Sequence, residues 1–267
     1  MNTPMASPAI ALHQVDKVYA NGMVALQGLT LAVQPGEFVS LVGPSGCGKS
    51  TVLRLMAGLG DVSSGTIEGP AAGDQSLAFV FQEAALMPWA TVVENVHLPL
   101  KLQGQSLRAS RSQIQSALNR VALQGVEQSY PRQLSGGMKM RVSIARALVT
   151  NPQLLLMDEP FGALDEMTRS RLNHDLLNLW EQYHWTVVFV THNIYEAVYL
   201  SNRVLVMAAQ PGRLVAEVAI DAPHPRDDAF RTSPLFNHYC REIAHHLAVG
   251  ETTPSPAPAP TSSAPLP

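Results

Sequence analysis

The stretch Gly43-Pro44-Ser45-Gly46-Cys47-Gly48-Lys49-Ser50 constrains this chain more than any other, because it fits G-x-x-x-x-G-K-[ST] at every position. The apolar run Phe38–Val42 before it predicts a strand. Residues 49–59 after it carry Val52, Leu53, Leu55 and Met56 at helical spacing. Strand, glycine loop and helix together let backbone amides turn inward on an anion, which the helix's free N–H groups and dipole also favour. The glycines allow close approach to phosphate oxygens. Lys49 adds a mobile charge for β- and γ-phosphates, and the Ser50 hydroxyl suits Mg²⁺. Residues 43–51, ending on Thr51, are therefore expected to bind a nucleotide.

A second motif lies about a hundred residues on. Leu154-Leu155-Leu156-Met157 is a fully apolar strand signal ending in Asp158-Glu159. Such a strand delivers two carboxylates to the carboxyl edge of a sheet, where open α/β folds bind ligands. Asp158 is then expected to hold Mg²⁺ through water and Glu159 to poise an attacking water. Taken alone, an Asp-Glu pair at a strand end is more often merely solvated. Downstream, a helix over 168–183, a strand over 186–190 and a helix over 194–202 alternate. After a β-rich opening punctuated by Asn21-Gly22 and Pro35-Gly36 hairpin signals, this alternation predicts a mostly parallel sheet with covered faces. Helix is expected to dominate 91–149, including a polar amphipathic stretch over 107–123 and another helix over 136–149.

Composition narrows the class. With 46% hydrophobic and 15% charged residues the chain reads as an ordinary globular protein, and a net charge of −3 gives no support to a nucleic-acid partner held by overall charge. Two cysteines, Cys47 and Cys240, exclude a disulfide framework. No secretory signal and no run of membrane-spanning length is found. Residues 1–9 and the Pro/Ala/Ser/Thr-rich 250–267 are expected to be disordered. His245-His246 have no carboxylate or cysteine framework and point apart on a helix, so no metal site is expected there. The helix expected over 230–247 more simply packs on the core or on partners.

Leu134-Ser135-Gly136-Gly137-Met138 makes the reading specific. With the two motifs above, in that order, the chain resembles the nucleotide-binding subunits of ATP-binding cassette transporters from about residue 10 to 247. The resemblance implies an α/β phosphate-loop core over 10–249, with an antiparallel β-subdomain and a helical subdomain at about 84–150. It also implies ATP and Mg²⁺ as ligands. The helix opened by Ser135, Gly136 and Gly137 would face the γ-phosphate held by a second subunit's loop in a head-to-tail dimer; in isolation the motif is equally a simple helix cap. Tyr19 matches the residue that stacks on adenine, Gln82 the glutamine that meets Mg²⁺ and water, Asp165 the loop that meets the partner's phosphate loop, and His192 the histidine near the γ-phosphate. The plain alternatives are a half-buried strand tyrosine and a structural strand-end histidine. Met138, Lys139 and Met140 stand where glutamines are common, beyond the residues that touch phosphate.

Residues 86–92, 161–169 and 211–213 resemble the nitrate/sulfonate/taurine-type importers, whose relatives also serve thiamine-precursor pyrimidines. This implies an ATPase at the cytoplasmic face of a membrane, with permease subunits as partners and, indirectly, an extracytoplasmic solute-binding protein. Lys49, Glu159 and His192 are the expected catalytic groups. Cys47, beside a helix N-terminus, is a candidate reactive thiol, with an inert small side chain as the equal alternative. Two other functions compete. A soluble ATPase of DNA repair or translation usually has two cassettes or a long coiled-coil insertion, neither present here. A non-hydrolysing switch module is disfavoured by the intact Asp158-Glu159 pair.

Overall fold

The computed structural model describes residues 7–70 and 76–252. Its strands are β1 (Ile10–Val18), β2 (Val24–Val33), β3 (Phe38–Val42), β4 (Ser64–Glu68), β5 (Leu77–Val80), β6 (Leu154–Asp158), β7 (Thr186–Thr191), β8 (Arg203–Ala208) and β9 (Arg213–Ala219). Its helices are α1 (Lys49–Met56), α2 (Val92–Leu102), α3 (Arg111–Arg120), α4 (Gly136–Leu148), α5 (Glu166–Tyr183), α6 (Ile194–Leu200), α7 (Asp228–Arg231) and α8 (Pro234–Thr252).

The strands form two sheets. One is antiparallel, in the order β2-β1-β4, and the other runs β5-β6-β7-β3-β8-β9. In the larger sheet every pairing is parallel except the last, β8 with β9. Its central strands read as mostly apolar runs because both of their faces are buried, and the exception inside β3, Ser40, is paired with the Ser201 hydroxyl at 2.5 Å. Phe38, Leu155, Met157, Val187 and Phe189 project into a core shared with α4, α5, α6 and α8. Their neighbours Val39, Leu41, Leu154, Leu156, Val188 and Val190 project the other way, into a core shared with α1 and the antiparallel sheet. The alternation is the period-2 rule of a pleated strand, here with no wet face.

Asn21-Gly22 does turn a hairpin, with Gly22 at φ 83° between antiparallel β1 and β2. Pro35-Gly36 does not. β2 and β3 belong to different sheets, and Gly36 donates to Thr186 Oγ1 at 3.0 Å as the chain crosses between them. The reason lies in β3 itself: all five residues are buried, which only a central position in a covered sheet satisfies. The expected helix over 107–123 contracts to α3, and that over 230–247 divides into α7 and α8. Helix α8 continues to Thr252; the rest of the expected tail disorder, and residues 1–6, lie outside the described residues. Among the described residues no helix is long and apolar enough to cross a membrane.

Candidate nucleotide site

The loop between β3 and α1 is shaped by two glycines that no other residue could replace. A β-carbon on Gly43 would stand 2.6 Å from Cys47 Sγ and 2.7 Å from the Met207 carbonyl oxygen. Gly48 adopts φ 93°, and a β-carbon there would stand 2.7 Å from Leu26 Cδ2. Gly48 occupies the capping position of α1 without a side chain to satisfy its first amides, so those donors stay available to an anion. Lys49 is buried, and its Nζ donates to the carbonyls of Gly43 at 2.8 Å and Pro44 at 3.1 Å. The charge is thus parked over the cradle it would serve.

The loop forms one wall of an open cleft of about 1060 Å³, lined also by Tyr19, Ser45, Gly46, Ser50, Thr51, Gln82 and Glu159. The Tyr19 hydroxyl lies 3.1 Å from Thr51 Oγ1, which fixes the ring at the rim. Ser50 Oγ donates to Asp158 Oδ1 at 2.8 Å. Burial pushes the Asp158 carboxyl above its ordinary value, against the opposing pull of the Ser50 hydrogen bond. Glu159, just past β6, takes the left-handed conformation at φ 43°, and its amide donates to the Val190 carbonyl at 2.9 Å. That backbone tie to β7 brings its Oε2 to 3.0 Å from His192 Nδ1. A carboxylate and an imidazole are therefore paired at the mouth of the phosphate cleft.

Two predicted groups stand apart from this cleft in the same chain. Ser135 caps α4 by accepting from the Met138 amide at 3.3 Å. A β-carbon on Gly137 would stand 2.7 Å from Thr168 Cγ2, so the glycine allows α4 to close on α5. Ser135 and Gly137 line a separate hollow of about 340 Å³ with Thr168 and Arg171, while Ser135 and Gly136 remain exposed. Asp165 caps α5 through the Thr168 amide at 3.0 Å and is likewise exposed.

Of the two readings of Cys47, the structure favours the inert side chain over the reactive thiol. Its side chain is wholly buried in the core beneath the loop, and that burial raises its pKa more than the nearby Lys49 lowers it. Cys240 is also buried, with its pKa pushed up to about 11. A maleimide reagent is expected to label neither thiol in the native protein and both in concentrated urea; rapid native labelling of Cys47, read by mass spectrometry, would contradict this.

Some residues of the site were not anticipated as such. The turn joining β8 to β9 reaches the cleft through Gln210 and Gly212. Gly212 donates to the Ala25 carbonyl at 3.1 Å and accepts from Gln27 at 3.0 Å, and a β-carbon on it would stand 2.2 Å from the Cys47 carbonyl oxygen. Its signal was the stretch 211–213, legible as a family mark but not as a wall of the cleft.

Comparisons with known proteins agree with this geometry. A family model described as ABC transporter matches residues 26–162. The aliphatic sulfonates import ATP-binding protein SsuB of Bacillus licheniformis is 41% identical over 254 residues, covering 91% of this chain and 96% of that protein. An uncharacterized ABC transporter ATP-binding protein of Methanocaldococcus jannaschii is 44% identical, covering 88% of this chain and 89% of that one. The dimeric structure of the ATP-binding cassette MJ0796 in a post-hydrolysis state, bound to ADP and Pi, superposes with a TM-score of 0.71 at 33% identity, over 80% of this chain and all of that one. Phosphate cradle, paired carboxylates and full-length similarity converge: the chain belongs to the ABC transporter family, as an ATP-binding and ATP-hydrolysing subunit.

Proposed function

We propose that two copies of this chain, or this chain and a paired ATPase subunit, hydrolyse ATP head-to-tail and so drive import of a small solute through partner permeases. The solute class suggested by the similarity to sulfonate importers is of the nitrate, sulfonate, taurine or pyrimidine-precursor type. One observation carries the dimer. The phosphate cleft is open, whereas Ser135 and Gly136, an anion-seeking helix start, are exposed elsewhere on the same chain, where Ser135 lines a different hollow. Each half lacks what the other displays.

In the composite site the amides of residues 43–48 and the Lys49 ammonium hold the β- and γ-phosphates, and Tyr19 stacks on adenine. Ser50, Asp158 and Gln82 supply only oxygen donors, the hard ligand set that suits Mg²⁺, and the Ser50–Asp158 contact of 2.8 Å shows that two of them converge. When bound, the ion neutralises charge on phosphate oxygens. Glu159 takes a proton from water as its oxygen attacks the γ-phosphorus and the bond to the β–γ bridging oxygen breaks, yielding ADP and phosphate. His192 orients Glu159 and donates toward the γ-phosphate; the partner's Ser135–Gly137 amides stabilise the developing charge, and Asp165 meets the partner's loop. A hollow of about 630 Å³ lined by Met87, Trp89, Glu94, His97, Leu98 and Lys101, with Trp89 77% exposed, is suited to a permease's cytoplasmic helix. Such docking would hold the chain peripherally at the cytoplasmic face of the membrane.

Mixing two defective chains tests the head-to-tail arrangement. Lys49→Ala and Ser135→Arg should each abolish ATPase activity in homodimers. Their mixture regenerates one complete site, from the cradle of one chain and the helix start of the other, and should recover a substantial fraction of activity. A mixture as inactive as its components would remove the composite site.

A further inference from the structure

A buried polar cluster lies behind the Glu159–His192 pair. Glu196, in the first turn of α6, is 6% exposed. One carboxylate oxygen accepts from Thr191 Oγ1 at 2.5 Å, and the other accepts from Asn173 Nδ2 at 3.3 Å and lies 3.8 Å from Arg169 Nε. Arg169, in the first turn of α5, turns its guanidinium back on the loop before that helix. It donates to the Leu164 carbonyl at 2.8 Å, to Phe161 at 3.3 Å and to Gly162 at 3.5 Å. One side chain thus gathers three carbonyls of a loop that has no regular structure of its own.

Both ends of this cluster reach the hydrolytic pair. The Gly162 amide donates to the Glu159 carbonyl at 3.1 Å, and a β-carbon on Gly162 would lie 3.7 Å from Glu159 Oε2 and 3.8 Å from His192 Cε1. At the other end, Thr191 immediately precedes His192, and its hydroxyl also accepts from the Asn193 amide at 3.0 Å. Retaining a carboxylate at this depth is not explained by stability, since a buried ion pair is often no better than an apolar replacement. Fixing two loops relative to each other does explain it, because an imidazole and a carboxylate must keep a set separation to act as a pair.

We propose that Arg169 and Glu196 are positioning residues for hydrolysis: together they clamp loop 161–165 to segment 191–193 and so hold Glu159 and His192 in register. This rests on the reading of Glu159 and His192 as the hydrolytic groups. Glu196→Gln keeps the shape and the Thr191 bond but removes the buried charge facing Arg169 Nε, leaving only the exposed Glu166 carboxylate, 3.2 Å from Nη1; Arg169→Lys keeps the charge but loses the planar fork that spans three carbonyls. In the full chain, each should lower kcat about 10–100-fold while the Kd for ATP, read with a fluorescent ATP analogue, stays within about twofold. The double variant should fall no further than the worse single one, within about twofold, because the two residues act as a unit.

A kcat within about twofold of the parent in both single variants would overturn the clamp. So would losses of kcat and ATP affinity in parallel with a lowered Tm, the mark of a merely structural pair. If Glu196→Gln does not fold, Arg169→Lys decides by the same split. Glu159→Gln measured alongside separates the two readings. Normal turnover there sinks the hydrolytic assignment itself, whereas loss there with both clamp variants unimpaired sinks the clamp alone.

Discussion

Glu159→Gln is expected to bind ATP as the parent chain does and to hydrolyse it at least about 10²-fold more slowly, the low end of what a positioned general base contributes. The amide is nearly isosteric and can still hydrogen-bond His192, so the 3.0 Å pairing and the left-handed backbone at Glu159 need not change. What it cannot do is accept a proton from water at neutral pH. ATP should then accumulate between two chains, and size-exclusion chromatography with ATP should show a dimer that decays slowly. Wild-type turnover by this variant would remove Glu159 from its role.

Arg226→Ala is expected to be strongly destabilising, by about 3–5 kcal/mol. Arg226 is 1% exposed. Its two terminal nitrogens donate to the carbonyls of Val198, Tyr199 and Ser201 at the end of α6, and of Ile220 and Ala222 after β9. Burial pulls its pKa down to about 10, still high enough to keep it charged at neutral pH. Removing it leaves the buried carbonyls of Val198, Tyr199, Ser201 and Ala222 without this donor, whereas Ile220 still accepts from the Ala222 amide at 3.0 Å. A loss of roughly 10 °C in Tm is expected for a domain of this size. The residue does not line the nucleotide cleft, so ATP affinity of the folded fraction should be retained; a Tm within about 2 °C of the parent would show that these carbonyls find other partners.

These two residues mark how far the sequence could be read. Glu159 announced itself through an apolar strand ending in two carboxylates, a pattern whose chemistry is local. Arg226 sits in His224-Pro225-Arg226-Asp227, which reads as a polar surface loop, and nothing in its neighbourhood says that it fills the end of a helix 25 residues earlier. The same distinction separates Gly48 from Gly212. Gly48 is required by its own left-handed backbone inside a recognisable loop. Gly212 is required by the carbonyls of Cys47 and Ala25, which only the folded chain brings to it. Cys47 shows the converse case, in which the sequence left two readings equal. Its place beside a helix start argued for a reactive thiolate, but its side chain points into the core, where desolvation prevails.

By itself, the sequence determined the phosphate cradle. Strand, glycine loop and helix are contiguous, and the backbone amides that would hold an anion are set by local dihedral angles and by the helix start at Lys49. It determined the apolar central strands as well, since a run buried on both faces must be apolar except where a polar group finds a buried partner, as Ser40 does in Ser201. The tertiary structure alone decided what stands opposite that cradle. Parallel pairing places Asp158 beside Val190, and this register carries Glu159 to His192, 33 residues away along the chain. The same packing closes Arg169 on Glu196 and leaves Ser135 facing outward, away from its own cleft. Such relations depend on strand register and helix packing, in which each side chain's partner is chosen by the whole fold rather than by its neighbours in sequence.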